Sequence, residues 1–120
     1  MSACLFCRIA AKEIPAQIVY EDAAVLAFRD INPQAPTHVL IIPKRHISGI
    51  PDATADNATD SEPGGIYACL FQAVRLLATQ ERIAESGFRA VINSGADAGQ
   101  SVDHLHIHLL GGRHLCWPPG

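Results

Sequence analysis

From residue 104 the chain reads His104-Leu105-His106-Ile107-His108-Leu109-Leu110, three imidazoles at every second position with apolar residues between them. Alternate side chains of a β-strand share a face, so this period puts His104, His106 and His108 about 7 Å apart on one side and Leu105, Ile107 and Leu109 on the other. One face carries chemistry and the other packs a core. A strand over Asp103–Leu110 is therefore expected to form a wall of the functional site.

The rest of the chain supplies a sheet for that strand. Thr37 to Pro43 is a β-branched, mostly apolar run closed by a proline, the pattern of a strand buried on both faces and central in its sheet. Ile18-Val19-Tyr20 and Val25-Leu26-Ala27-Phe28 flank Glu21-Asp22-Ala23-Ala24, a hairpin between antiparallel strands. Phe88 to Asn93 alternates as a further strand. Residues 4–14 carry apolar side chains at helical spacing until Pro15 forbids continuation. Ile66 to Arg82 repeats that spacing with Leu70, Ala73, Val74 and Leu77 inward and Arg75 and Arg82 outward, predicting the one long helix. Pro51 to Gly65 lacks periodicity and is expected to be an exposed loop, and Gly111 to Gly120 to be irregular. The sum is an α+β fold, a five-stranded, mainly antiparallel sheet with one long and one short N-terminal helix, in a single domain over residues 1–120.

Charge narrows the partners. Nine Lys and Arg against twelve Asp and Glu give a net charge of -3, which argues against nucleic acid or an anionic membrane held by bulk positive charge. Four of the acids (Asp52, Asp56, Asp60, Glu62) fall in one base-free stretch, so the remainder is nearly balanced and leaves room for a small anionic ligand. No apolar run is long enough to span a bilayer, and the N-terminus lacks the layout of a secretion signal, so a cytoplasmic location is expected. In a reducing compartment Cys4 and Cys7, a Cys-x-x-Cys, read as a metal half-site rather than half of a disulfide framework.

The imidazole row admits two chemistries. Adjacent imidazoles can hold a transition metal, or one neutral imidazole can attack an electrophile while its neighbours orient it and move protons. The second needs an anion cradle, and Gly95-Ala96-Asp97-Ala98-Gly99-Gln100-Ser101 offers one directly upstream: glycines free the backbone to turn N–H groups toward one point, and the Ser101 hydroxyl can donate.

The row following Gly99-Gln100-Ser101 resembles the signature of the histidine triad nucleotide-binding proteins, and the chain is similar to their Hint branch along most of its length. Further matching stretches are Lys12-Glu13-Ile14-Pro15-Ala16, Asp30 to His38, Ile42 to Ser48, Gly111-Gly112-Arg113 and Trp117-Pro118-Pro119-Gly120. The resemblance implies hydrolysis of purine nucleoside 5'-phosphoramidates and acyl-adenylate-like compounds to the nucleoside monophosphate through a nucleotidyl-histidine intermediate. It makes His106 the nucleophile, has His108 and Ser101 assist the phosphoryl group and the departing amine, and makes His104 either a catalytic neighbour or a metal ligand. It implies Asp30 at the ribose, Leu5, Phe6, Ile9, Ile14, Phe28 and Ile31 around the base, and Asn93, Gly99 and Gln100 on the phosphate side. It also implies a homodimer in which Trp117 reaches the partner's active site, and no organic cofactor. Relatives carrying the Cys-x-x-Cys bind structural zinc with two histidines, which here are His46 and His104 beside Cys4 and Cys7. Rival readings are a dinucleoside polyphosphate hydrolase, a nucleotide-binding regulatory protein of weak activity, and a metalloenzyme ligated by the histidine row.

Overall fold

The computed structural model describes residues 3–53 and 65–120. Five strands, β1 (Ile18–Glu21), β2 (Val25–Arg29), β3 (Thr37–Pro43), β4 (Phe88–Val91) and β5 (Ile107–Gly111), form one sheet in the order β1-β2-β3-β5-β4, with every neighbouring pair antiparallel. Two helices, α1 (Leu5–Ala10) and α2 (Gly65–Gln80), complete the α+β fold expected from the sequence. All seven residues of β3 are buried, as its apolar run predicts.

Period two along the strands sorts the core into two layers. Val25, Ala27, Val39, Ile41, Ile107 and Leu109 meet Ile66, Leu70, Ala73, Val74 and Leu77 of α2. Leu26, Phe28, Leu40 and Ile42 point the other way and meet Phe6 and Ile9 of α1. The β1–β2 turn is closed by Asp22, whose Oδ1 accepts the N–H groups of Ala24 (2.8 Å) and Val25 (2.9 Å) while Tyr20 donates its hydroxyl to Oδ2 at 2.7 Å.

Several boundaries move. α1 stops four residues before the expected end because Lys12 takes a left-handed φ of 65° and the following N–H groups turn back, Lys12 to Ile9 O and Glu13 to Arg8 O. α2 stops at Gln80, not Arg82, for the same reason: Arg82 has φ 60° and Ile83 N–H reverts to Ala78 O. β4 ends at Val91 rather than Asn93. β5 begins only at Ile107, so His104 and His106 precede the strand on which they were placed, and it runs on to Gly111. The ladder with β3 ends at the Ile41–Ile107 pair, and further along lies Pro43, which has no N–H to give. Leu105 N–H bonds Ile47 O instead. The alternation survives the lost ladder, since Leu105, Ile107 and Leu109 all belong to the α2-side core. Apart from its ends, the loop expected over 51–65 lies outside the described residues.

Gly111 shows how closely the segment after α2 packs on β5. A Cβ built there would lie 2.8 Å from Ile83 Cδ1 and 2.9 Å from its Cγ2. Gly111→Ala should therefore cost about 1–3 kcal/mol through overpacking, read from urea unfolding; a loss below about 0.5 kcal/mol would mean that Ile83 moves aside freely.

Candidate active site and metal centre

His106 is buried, with 2% of its surface exposed, and its Nδ1 lies 2.6 Å from the carbonyl oxygen of His104. A carbonyl only accepts, so Nδ1 carries the hydrogen and the lone pair is on Nε2. No described residue bonds that Nε2. The edge-on ring of Phe6 from α1, 5.2 Å away at 89°, fixes the plane of the imidazole.

His108 is held in the other tautomer. Gln34 N–H donates to His38 Nδ1 at 3.0 Å, which leaves the hydrogen of neutral His38 on Nε2. That Nε2 is 2.9 Å from His108 Nδ1 and 3.4 Å from Asp30 Oδ2. His108 therefore accepts at Nδ1 and carries its own hydrogen on Nε2. Burial, reinforced by the neighbouring His106 and His38, pushes the His108 pKa down to about 4, and Asp30 opposes this only weakly. Burial likewise lowers His38 against the pull of Asp30. Both rings are thus neutral at pH 7. His106 and His108 lie with ring centroids 4.9 Å apart, one offering a lone pair and the other a proton.

These rings line a cavity of about 460 Å³, within the ordinary range for a small-molecule site. The structure brings Leu5, Phe6, Ile9, Ile14, Phe28, Asp30, Ile31, Ser101, His106 and His108 to it, together with Leu40 and Val102. Asp30 also closes a turn, its Oδ1 accepting Asn32 N–H at 2.8 Å. Ile31 is fully exposed and forms only the rim. Asn93, Gly99 and Gln100 do not line the cavity, and Trp117 is 81% exposed away from it. The Gln100 side chain is spent on the main chain: its amide donates to Ser48 O (2.7 Å) and Val102 O (3.1 Å), and its oxygen accepts Gly95 N–H (2.9 Å). Gln100 braces the loop that presents Ser101. The residue that sequence reasoning left without a role is His38. An imidazole inside the most apolar strand was the available signal, because a buried polar ring needs partners.

Two groups of metal-type side chains lie near each other, and their hydrogen bonds separate them. Cys4, Cys7, His46 and His104 hold their ligand atoms within 4.8 Å of one another. His104 donates Nε2–H to Pro43 O at 2.8 Å, which turns the Nδ1 lone pair toward Cys4 Sγ (3.4 Å) and Cys7 Sγ (3.5 Å); His46 Nδ1 is 3.2 Å from Cys7 Sγ. A tetrahedral ion with ordinary metal–sulfur and metal–nitrogen lengths needs sulfur–nitrogen edges of about 3.5 Å. The donor set fits, and burial supplies the neutral imidazole a ligand must be by lowering the His104 pKa to about 4. Asp30, His38 and His108 form the second group, but His38 Nδ1 accepts a main-chain hydrogen bond and its Nε2 holds a proton. That ring has no lone pair left for a metal, and among the described residues His104, His106 and His108 do not gather their ring nitrogens into one group of their own, so the catalytic-metal reading of the histidine row finds no support in this geometry.

The HIT domain family model matches residues 11–115. A 14 kDa zinc-binding protein of Zea mays is 50% identical over 117 residues, covering 97% of this chain and 87% of its own length. The adenylylsulfatase HINT1 of Arabidopsis thaliana is 47% identical over 116 residues, 97% of this chain and 76% of that protein. The crystal structure of a HIT family hydrolase from Legionella pneumophila superposes with a TM-score of 0.88 at 53% identity, covering 98% of this chain and 99% of its own. With its imidazole row, apolar cavity and five-stranded sheet in the family's arrangement, the chain belongs to the HIT domain family.

Removal of both thiols in a Cys4→Ala/Cys7→Ala variant is expected to abolish stoichiometric metal by elemental analysis, whereas His38→Ala should keep it. Metal lost with His38 and retained without the thiols would reverse the assignment of the two clusters.

Proposed function

We propose that the chain hydrolyses purine nucleoside 5'-phosphoramidates and related adenylates to the nucleoside monophosphate, with His106 as nucleophile. One observation carries the reading: a buried imidazole, oriented by a main-chain carbonyl, keeps its Nε2 lone pair unspent on the wall of a mostly apolar cavity. The name of the Arabidopsis relative supports the extension to adenylates whose leaving group is sulfate.

The electrons run as follows. Nε2 of His106 forms a bond to phosphorus as the phosphorus–nitrogen bond to the amine breaks. Positive charge appears on the imidazole, where Nδ1–H faces the His104 carbonyl that stabilises it. The amine departs only once protonated, and Ser101 at the cavity mouth, with His108 Nε2–H beside the phosphoryl oxygens, serves that step. Water then attacks phosphorus and returns, by way of Ser101, the proton that the amine carried off; the phosphorus–Nε2 bond breaks, and neutral His106 is regenerated with release of the monophosphate. The apolar walls from Phe6, Ile9, Ile14 and Phe28 take the base, and the remaining acceptor capacity of Asp30 takes the ribose hydroxyls.

Zinc is the metal assigned to Cys4, Cys7, His46 and His104, on the strength of its thiolate and imidazole donors and the name of the maize relative. Four protein ligands close the coordination sphere, so the ion would act structurally by fixing α1 against the sheet. Family resemblance further supports a homodimer. β4 is an edge strand, and Phe88 on it is 41% exposed. Sedimentation at micromolar concentration should give twice the chain mass; a single-chain mass would remove the dimer.

Incubation with adenosine 5'-phosphoramidate should release AMP, with His106→Ala lowering kcat by about 10³-fold or more and Ser101→Ala by at least about tenfold. A folded, AMP-binding parent that releases none would sink the enzymatic reading and leave a nucleotide-binding module.

A further inference from the structure

We propose that Cys4 and Cys7 are an oxidation site whose closure to a disulfide disables the nucleotide site, making turnover depend on thiol state. The effect on turnover rests on the reading of His106 as nucleophile; the effect on nucleotide binding does not.

The two residues enclosed by the cysteine pair are Leu5 and Phe6, and both line the cavity. Phe6 packs its edge on His106 at 5.2 Å and on His104 at 5.9 Å. Whatever rearranges the segment from Cys4 to Cys7 thus moves part of the cavity wall and the ring that sets the plane of the nucleophile. His104 belongs to both systems: its Nδ1 faces the two sulfurs, and its carbonyl oxygen holds His106 Nδ1–H.

A disulfide is within reach of the chain. The sulfurs are among ligand atoms lying within 4.8 Å of one another. Side chains three apart on a helical turn have Cβ atoms about 5–6 Å apart, and a disulfide needs roughly 3.5–4.5 Å. Bond formation therefore tightens the turn bound by Arg8 N–H to Cys4 O, distorting the start of α1. Access is also present. Cys4 and His46 line an open groove of about 650 Å³ with Ser101 and Asp103, and His46 is exposed.

A peroxide is the oxidant class. One thiolate attacks a peroxide oxygen, breaking the O–O bond and, with one proton, giving a sulfenic acid and water when the peroxide is hydrogen peroxide. The second thiolate displaces hydroxide from that sulfur, the hydroxide takes a proton, and a disulfide and a second water result. Two electrons pass from the sulfurs to the peroxide. The disulfide sulfurs no longer carry the charge that makes a thiolate a ligand, so His46 and His104 lose the common centre that ties them to α1.

The test uses the zinc-loaded full chain carrying Cys116→Ser, which removes the exposed thiol, treated with hydrogen peroxide. Expected are a Cys4–Cys7 disulfide by peptide mass spectrometry and one zinc released per chain to a chromophoric chelator. AMP affinity by calorimetry and phosphoramidate turnover should each fall about tenfold or more. Dithiothreitol with zinc should restore both, and dithiothreitol with excess chelator should not. Cys7→His, or Cys4→His where the first does not load zinc, keeps four donors but cannot close the bond, so its treated-to-untreated ratios should stay near one.

Absence of the disulfide overturns the proposal. So does a disulfide with zinc release that leaves AMP affinity and turnover unchanged, or equal peroxide sensitivity in the histidine variant. An untreated protein without turnover whose AMP affinity falls on oxidation would sink the hydrolase reading while upholding the oxidation site.

Discussion

β3 is hydrogen-bonded along both edges and covered on both faces, and the placement of every reactive group follows from that strand. Val39 and Ile41 face α2, whereas His38, Leu40 and Ile42 face the cavity side. The register that pairs Leu40 with His108 and Ile41 with Ile107 decides which residues of β5 share the cavity face with them. A slip of one residue would carry His108 into the α2 layer and bring a leucine or isoleucine to the cavity, so the buried pattern of β3 enforces the register. Where β3 reaches Pro43 the ladder fails for want of an N–H, and the chain before Ile107 is free to leave the sheet. That freedom lets His104 turn toward the cysteines while His106 stays over the cavity.

Main-chain groups fix the tautomers of His106 and His108 independently. His104 O takes the hydrogen of His106 Nδ1, and Gln34 N–H, through His38, keeps the lone pair of His108 at Nδ1 engaged. The result is an imidazole presenting its Nε2 lone pair beside one whose Nε2 carries a proton. Burial supports the arrangement at His108, which it leaves neutral well below pH 7. A charged pair of imidazoles 4.9 Å apart would repel and could not present one lone pair. The low polarity around His108 thus favours the neutral form that accepts from His38.

The sheet was legible in the sequence because its signals are local. The mostly apolar run of β3, the Glu21–Ala24 turn and the period-two alternation before Leu110 each predict an element by composition and spacing alone. The boundaries were not, because they depend on partners. Nothing local announces that Lys12 and Arg82 take left-handed backbone, or that Pro43 ends the ladder that residues 103–106 would need. The cavity residues of α1 and β2 were readable from family resemblance, as was the Cys4–Cys7–His46–His104 cluster. His38 was hidden among apolar neighbours, and its importance emerges only through the register that sets it against His108. Gln100 shows the opposite case: next to Ser101 in sequence, it turns inward to brace the loop rather than facing the cavity.

α1 poses a problem that the metal cluster answers. It has six residues and no side-chain cap, far below the length at which an isolated helix persists in water. Its only buried side chains are Phe6 and Ile9, and both also line the cavity, so neither is covered by protein on every side. A helix that must line an open cavity has few apolar contacts left with which to hold itself. A metal held by Cys4, Cys7, His46 and His104 would tie its first turn to two segments distant in sequence without filling the cavity. The same economy would make the helix vulnerable, because its proposed anchors are two half-buried thiols and the residues between them, Leu5 and Phe6, line the cavity.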